Sequence, residues 1–315
     1  MEINMDGVLN ILKPAGMTSF DVIGYLRRVT GQKKIGHTGT LDPSAVGVLP
    51  VCIGSATKAI EFMIDKDKIY RAELTLGIAT DTQDSSGQML YSHPVDVTED
   101  EIKSAVAGFE GVIEQLPPMY SAIKIGGKKL YELARQGETI ERETRKVTIF
   151  KIGVNRIWTE AVVFEKDGKS VEYKIKKVLM DVHCSKGTYI RTLCSDIGEK
   201  LGCGGHMSFL VRTQAGKYGL DSALTMEEIE GLAGTNSLEK NLMPVEQVFE
   251  DYDFIYLSKE EEFKYVNGVR LEVNKNNVNI SLYRVYDNSR SFLGIGEIYS
   301  LGDAAYLKSK KFFNR

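Results

Sequence analysis

Three short segments of the 315-residue chain carry side chains able to do chemistry together. The first is Gly36-His37-Thr38-Gly39-Thr40-Leu41-Asp42-Pro43, where a single carboxylate ends a run of glycine and threonine. The proline after Asp42 disfavours helical backbone at the aspartate, and Gly36 and Gly39 permit close approach of the main chain to a ligand. An aspartate in this setting either forms a turn or serves as a nucleophile or acid–base group; its residue type leaves both readings open. Lys68-Ile69-Tyr70-Arg71 adds an aromatic ring and a cation at a strand start. Cys184-Ser185-Lys186-Gly187-Thr188-Tyr189-Ile190-Arg191 runs from strand to helix and places Tyr189 and Arg191 in the expected first turn. An arginine there can hold a carboxylate ionised through a two-bond fork. Taken singly, a surface arginine and core-edge tyrosines explain these residues as well.

The elements that must position these groups follow from pattern. Gly7 to Leu12 is a short apolar run closed by Lys13-Pro14, which reads as a strand entering a turn. Thr18 or Ser19 is placed to cap a helix with Phe20, Ile23 and Leu26 on one face and Arg27-Arg28 near its end. Gly31 to Pro50 reads as an ordered loop, Ser55 to Ile64 as a helix and Lys68 to Gly77 as a strand. Thr98 with Glu101 forms a capping box for a helix ending near Gly108. Farther on, Val147 to Ile157 and Ala161 to Phe164 are β-rich, and Asp167-Gly168 joins Phe164 to Val171 as a hairpin. Val178 to Cys184 reads as a strand, followed by a helix from about Thr188 to Leu201. Strands and helices mix without regular βαβ alternation, which predicts an α+β fold.

Composition narrows the class. Hydrophobic residues make up 43% and charged residues 26%, the range of globular proteins with a sizeable core. No apolar run approaches the ~20 residues that span a bilayer, and the acidic opening of the chain does not read as a signal peptide. The four cysteines are scattered, which predicts reduced thiols in the cytoplasm. His183-Cys184, Cys194 and Cys203-x-x-His206 lack the paired spacing of a zinc site. Walker, G-x-G-x-x-G, H-E-x-x-H and G-x-S-x-G motifs are missing, and with only four histidines a carboxylate is the expected working group. The net charge of −3 conceals segregation: Ser121 to Lys151 carries +4, whereas Asp221 to Glu262 carries −10. A polyanion meets a local face rather than a chain average. The acidic stretch marks a domain boundary, and from Phe263 onward the chain has nine Lys/Arg against four Asp/Glu.

Assembled in order, these segments resemble the bacterial TruB-type tRNA pseudouridine-55 synthases. The resemblance runs from about Gly7 to Tyr218. It rests on Leu9-Asn10-Ile11-Leu12-Lys13-Pro14-Ala15-Gly16-Met17-Thr18-Ser19, Gly36 to Pro50, Tyr70-Arg71-Ala72 and Thr80-Asp81-Thr82-Gln83-Asp84. Leu116-Pro117-Pro118-Met119-Tyr120-Ser121-Ala122, Leu130-Tyr131-Glu132 and Cys184 to Arg191 complete it. The resemblance implies a pseudouridine synthase fold: a mixed, largely antiparallel central sheet with flanking helices in residues 1–250, and a small PUA-like RNA-binding β domain in residues 251–315. It implies isomerisation of a flipped T-loop uridine, whose uracil is detached at N1, rotated and rejoined through C5. No cofactor and no metal are implied. By correspondence, Asp42 is the catalytic aspartate, acting on the base or the ribose. Tyr70 stacks on the flipped base, Arg191 pairs with the aspartate, and Leu210 lines the base pocket. His37 packs among loop bases. Lys13, Asp84, Tyr189, Lys124, Lys128 and Lys129 complete the implied RNA-binding set. Residues 121–151 correspond to a mobile insertion made flexible by Gly126-Gly127 and Gly137, with Arg142, Arg145 and Lys146 also facing phosphates. Val46, Gly205 and Val211 depart from the family pattern, though none removes a catalytic group. The implied partner is the tRNA T-arm, met by a cytoplasmic monomer without a membrane or an obligate protein partner. An RNA-folding factor without chemistry and a base-excising glycosidase are the competing classes.

Overall fold

The computed structural model describes residues 5–121, 123–134, 136–138, 140–166, 169–274 and 278–313. The chain opens with β1 (Gly7–Lys13), α1 (Ser19–Thr30), β2 (Ile35–His37) and β3 (Val46–Ile53), then α2 (Ile60–Met63), β4 (Lys68–Leu76), β5 (Ile78–Thr80) and β6 (Met89–Ser92). It continues through α3 (Glu99–Ala107), β7 (Gly111–Gln115), β8 (Lys124–Ile125), β9 (Lys128–Lys129) and α4 (Leu130–Ala134). A long antiparallel pair, β10 (Arg145–Lys166) and β11 (Lys169–Cys184), leads to α5 (Ile190–Lys200), β12 (Gly205–Ala215), β13 (Tyr218–Gly219) and α6 (Met226–Gly234). The last part holds β14 (Phe254–Tyr256), α7 (Lys259–Val266), β15 (Leu271–Val273), β16 (Leu282–Tyr286), β17 (Phe292–Leu301) and β18 (Ala304–Phe312).

The central sheet runs β1-β3-β12-β4-β11-β10-β7, with β2 beside β3 and β13 beside β12. Every pairing in it is antiparallel except β3 with β12, which makes the sheet mixed and largely antiparallel. One face of β4 and β11, carrying Ala72, Leu74, Met180 and Val182, buries against α3 and α5 through Ile102, Leu193 and Ile197. At the other end, α1 and α6 pack on β1 and β3 through Val22, Ile23, Leu26 and Ile229. A separate sheet, β14-β16-β17-β18-β15, has its own core around Tyr265, Val285 and Leu307. It is nevertheless joined to the central sheet, because Phe249, Phe292, Ile295 and Phe313 form one buried cluster with Val48, Cys52 and Ala56.

Local chemistry explains the helix starts. The Thr18 side chain accepts from the Asp21 amide at 3.0 Å, and Asp21 returns a bond to the Thr18 amide at 2.7 Å. Such caps contribute about 1 kcal/mol each. Gly31 closes α1 at φ 71, where a side chain would be strained. Thr98 and Glu101 form the same box at α3.

Several local expectations change. Phe20 lies off the buried face of α1 and is 73% exposed, whereas Val22 takes its place in the core. The stretch from Gly31 to Pro50 is not all loop: it holds β2, which pairs with the end of β3 (Val51 to Ile53), and β3 itself already begins at Val46. Residues 54–59 form a 3-10 turn, and only Ile60–Met63 is α-helical. The two β-rich runs beyond Val147 are one strand, held continuous through Thr159 and Glu160 by pairing with β11. The Asp167-Gly168 turn lies outside the described residues. Helix α5 begins at Ile190; Tyr189 is its cap residue with extended backbone (φ −97, ψ 106) rather than a member of the first turn.

Candidate active site

The segment from Gly39 to Val48 has its shape set from below by Arg212 of β12. This side chain is 2% exposed, and its guanidinium donates to the carbonyls of Val48 (2.7 Å), Gly39 (3.1 Å) and Thr40 (3.5 Å). β3 meets β12 so closely at Gly47 (φ 115) that a Cβ there would stand 2.2 Å from the Arg212 carbonyl oxygen. On the other side the Leu41 amide donates to Ser19 Oγ at 2.9 Å, and the Gly16 amide donates to the Pro43 carbonyl at 2.8 Å. A turn closed by the Ala45 amide on the Asp42 carbonyl at 3.1 Å, with Pro43 inside it, then turns the aspartate outward.

Asp42 and Arg191 meet in a side-on fork, Nε to Oδ2 at 3.1 Å and Nη2 to Oδ1 at 3.3 Å. Arg191 is buried and fixed by further bonds, Nη2 to the Tyr120 carbonyl at 2.8 Å and Nη1 to the Thr82 carbonyl at 3.4 Å. Its Nη1 also faces Asp84 Oδ2 at 3.5 Å. Burial raises the proton affinity of Asp42, Arg191 opposes this, and the charge of Asp84 adds to it. The result is a carboxylate more basic than an exposed one, oriented by a cation that cannot move away. Such a group suits attack on a nucleoside or stabilisation of positive charge beside it.

Tyr70 and Leu210 lie on neighbouring strands of the same face, Tyr70 opposite Arg212 and Leu210 opposite Ala72. Both belong to the cluster that includes Leu41 and Ala45. Burial holds the Tyr70 phenol protonated, and the charges of Arg212 and Asp42 both act on it. Arg71 points to the other face and forms two 2.7 Å bonds with Asp181. His37 is half-buried with Phe20 edge-on at 5.6 Å, and burial lowers its pKa, leaving a neutral imidazole at pH 7.

Other residues of the implied RNA-binding set have structural work. Lys13 is fully buried and donates to the carbonyls of Met17 (2.6 Å), Pro14 (2.8 Å) and Pro43 (3.3 Å). Burial brings its ammonium down to about 8, with the charge of Asp42 opposing. Asp84 accepts from Thr82 Oγ1 at 2.8 Å and the Ser86 amide at 2.9 Å besides facing Arg191. Tyr189 is held by Gln115, whose amide group bonds both the Tyr189 amide (3.0 Å) and its carbonyl (3.2 Å). Lys128 is exposed, while the side chains of Lys124 and Lys129 lie outside the described residues. Arg142 does not face outward as expected: it donates to the Pro117 carbonyl at 2.7 Å, with its Nε buried. Gly126 and Gly127 (φ 59 and 86) form the turn between β8 and β9. Leu130 and Leu133 of α4 are buried behind it.

Arg212, Gln115 and Ser19 escaped the sequence reading because their partners are main-chain atoms far away in sequence. A charged residue in the apolar alternation of β12 was the one available signal. The weighed zinc set does not converge: His183 faces Asp67, His206 Nδ1 meets the Ile78 carbonyl at 2.9 Å, and all four thiols are buried. No group of three metal-binding side chains occurs among the described residues. Nor is any described helix long and apolar enough to cross a membrane.

The central sheet, its flanking helices and the appended β sheet define the fold of the pseudouridine synthases. A solved chain from a Cbf5-Nop10-Gar1 complex superposes with TM-score 0.70 at 25% identity, covering 99% of this chain and 86% of that one. A second, from an H/ACA RNP bound to a substrate RNA containing 2′-deoxyuridine, shares the fold at TM-score 0.68 and 22% identity, covering 100% and 87% of the two chains. Residues 27–190 match the N-terminal domain of TruB family pseudouridylate synthases, residues 191–250 the tRNA pseudouridylate synthase B C-terminal domain, and residues 255–305 the C-terminal region of pseudouridine synthase II TruB. The chain therefore belongs to the TruB family of pseudouridylate synthases. It is 53% identical to the tRNA pseudouridine synthase B of Alkaliphilus oremlandii over 255 residues, 81% of this chain and 77% of that protein. The Clostridioides difficile protein of the same name is 42% identical over 317 residues, 98% of this chain and all of its own length.

Proposed function

We propose that this protein isomerises uridine 55 in the T-loop of tRNA to pseudouridine, with Asp42 as the catalytic aspartate. The observation that carries the assignment is the Asp42–Arg191 fork on a turn beside Tyr70 and Leu210. A uridine inside a folded loop is reached only after it leaves the stack, and an aromatic wall offsets the lost stacking by ~1–3 kcal/mol per base. Tyr70 supplies that wall and Leu210 the apolar floor. Asp42 acts on the nucleoside while the N1–C1′ bond breaks, the uracil turns within the pocket, and a C5–C1′ bond forms. The proton leaves C5 and N1 gains one, so the product is an isomer and no outside group is consumed. His37, neutral and flanked by a ring, fills space among loop bases.

In this reading residues 1–250 form the catalytic domain and residues 251–315 a PUA-like RNA-binding domain, supported by the independent core of the second sheet. Residues 121–151 close over the RNA, with exposed Lys128, Arg145 and Lys146 toward phosphates. The partner is the tRNA T-arm, and the enzyme works in the cytoplasm as a monomer with no obligate protein partner.

The test uses a tRNA transcript labelled with tritium at uridine C5. Wild type should release one equivalent of tritium per tRNA without free uracil. Asp42→Asn should release none while binding tRNA within about tenfold of wild type, ~1.4 kcal/mol. Free uracil would indicate a glycosidase, and tight binding without release by either protein an RNA-folding factor.

A further inference from the structure

Phe20 is among the most exposed large apolar residues described, at 73%, and helix formation does not account for it. The cap of α1 is made by Thr18 and Asp21. The apolar residue before that cap, Met17, already joins Val22 in the α1 core, the usual arrangement of a hydrophobic staple. Phe20 stands at the second helical position and takes no part in either. It follows Ser19, whose hydroxyl fixes Leu41, the neighbour of Asp42. The ring itself stands edge-on at 5.6 Å to His37, on the segment that leads to Asp42, and is otherwise open to solvent. Along the same outward side of α1 come Gly24, which leaves the surface low, and then exposed Arg27 and Arg28, with Lys33 and Lys34 just beyond.

We propose that Phe20 is a substrate-binding residue, its exposed ring stacking on an unpaired nucleobase of the RNA while Arg27, Arg28, Lys33 and Lys34 follow the adjoining phosphates. An aromatic face with a track of cations is the combination that holds single-stranded nucleic acid, the ring through base stacking and the cations through counterion release. The occupant is a base outside the catalytic pocket, because Tyr70 and Leu210 lie on the sheet face while Phe20 lies on the helix. The inference rests on the uridine-isomerase reading and adds a second point of attachment to it.

Binding of a T-arm stem-loop by Phe20→Ala should be about 5- to 100-fold weaker than by wild type, with Phe20→Tyr near wild type and the single-turnover rate at saturating RNA little changed. Arg27→Gln should weaken binding with a shallower salt dependence, whereas Phe20→Ala should leave that slope unchanged. The chain has one tryptophan, so Phe20→Trp combined with Trp158→Phe gives a single fluorescent reporter at this position. Its emission should be quenched when RNA binds. Stem-loop affinity of Phe20→Ala within twofold of wild type, or unquenched emission from the Phe20→Trp reporter in a complex that forms, overturns the inference and leaves the isomerase reading standing. Failure of wild type both to bind the stem-loop and to release tritium overturns the two together.

Discussion

Two buried guanidinium groups flank the Asp42 turn, and they are held in opposite ways. Arg191 faces carboxylates, Asp42 in a fork and Asp84 at 3.5 Å, and its remaining donors reach two carbonyls. The guanidinium bonds of Arg212 go to the carbonyls of Gly39, Thr40 and Val48, without a carboxylate. A cation bonded to carbonyl dipoles keeps its full charge but ties three points of main chain together. One facing a carboxylate tunes the partner's basicity and direction. One arginine therefore builds the turn, and the other prepares the group the turn presents.

The comparison is broken most forcefully at Arg212. Arg212→Met fills similar volume but leaves the carbonyls buried without donors, at about 1–3 kcal/mol for each well-made bond lost. Denaturant unfolding should show a loss of about 3 kcal/mol or more, accompanied by loss of turnover even where the variant remains folded. Unchanged stability would show that the turn holds its shape unaided. Arg191→Lys should behave differently. The cation remains but the planar fork is lost, so the single-turnover rate should fall about 100-fold, as for a misplaced reacting group, with a far smaller change in stability than at Arg212. If stability and rate fell together in both variants, the division of labour would be wrong.

Asp84→Asn sharpens the comparison with the smallest effect. The charge of Asp84 pushes the Asp42 pKa upward. Removing it lowers that pKa, and activity that needs ionised Asp42 is lost as pH falls through it. The acid limb of the pH–rate profile should therefore move to lower pH. A shift to higher pH would mean that Asp84 acts chiefly by holding Arg191 in place.

The same contrast explains what could be read from the sequence. The cap of α1 at Thr18 or Ser19, the capping box at Thr98, the alternation of Lys68 to Gly77 and the Asp42-Pro43 turn are local, decided by neighbours within a few residues. The Asp42–Arg191 pairing was legible only through family resemblance, because the partners lie in segments far apart along the chain. Arg212 went unread because carbonyl partners leave no mark in side-chain composition. Arg142 was misread for the same reason: its partner is the Pro117 carbonyl, so a basic run suggested a phosphate contact. The outward turn of Phe20 was hidden because an aromatic residue in an amphipathic helix ordinarily faces the core, and only the packed structure gives that place to Val22. The continuous β10 strand likewise depends on its partner, β11, whose pairing carries it through Glu160 without a break.

The buried cluster uniting Phe249, Phe292, Ile295 and Phe313 with Val48, Cys52 and Ala56 has a mechanical consequence. β3, the strand that leaves the Asp42 turn, is also part of the seat of the terminal sheet. The molecule is thus a caliper with fixed jaws: the separation between the Asp42 carboxylate and the terminal sheet is set by packing rather than by a linker. If, as proposed, the RNA engages both, it must match that span, and length along the RNA is then sensed without a base being read.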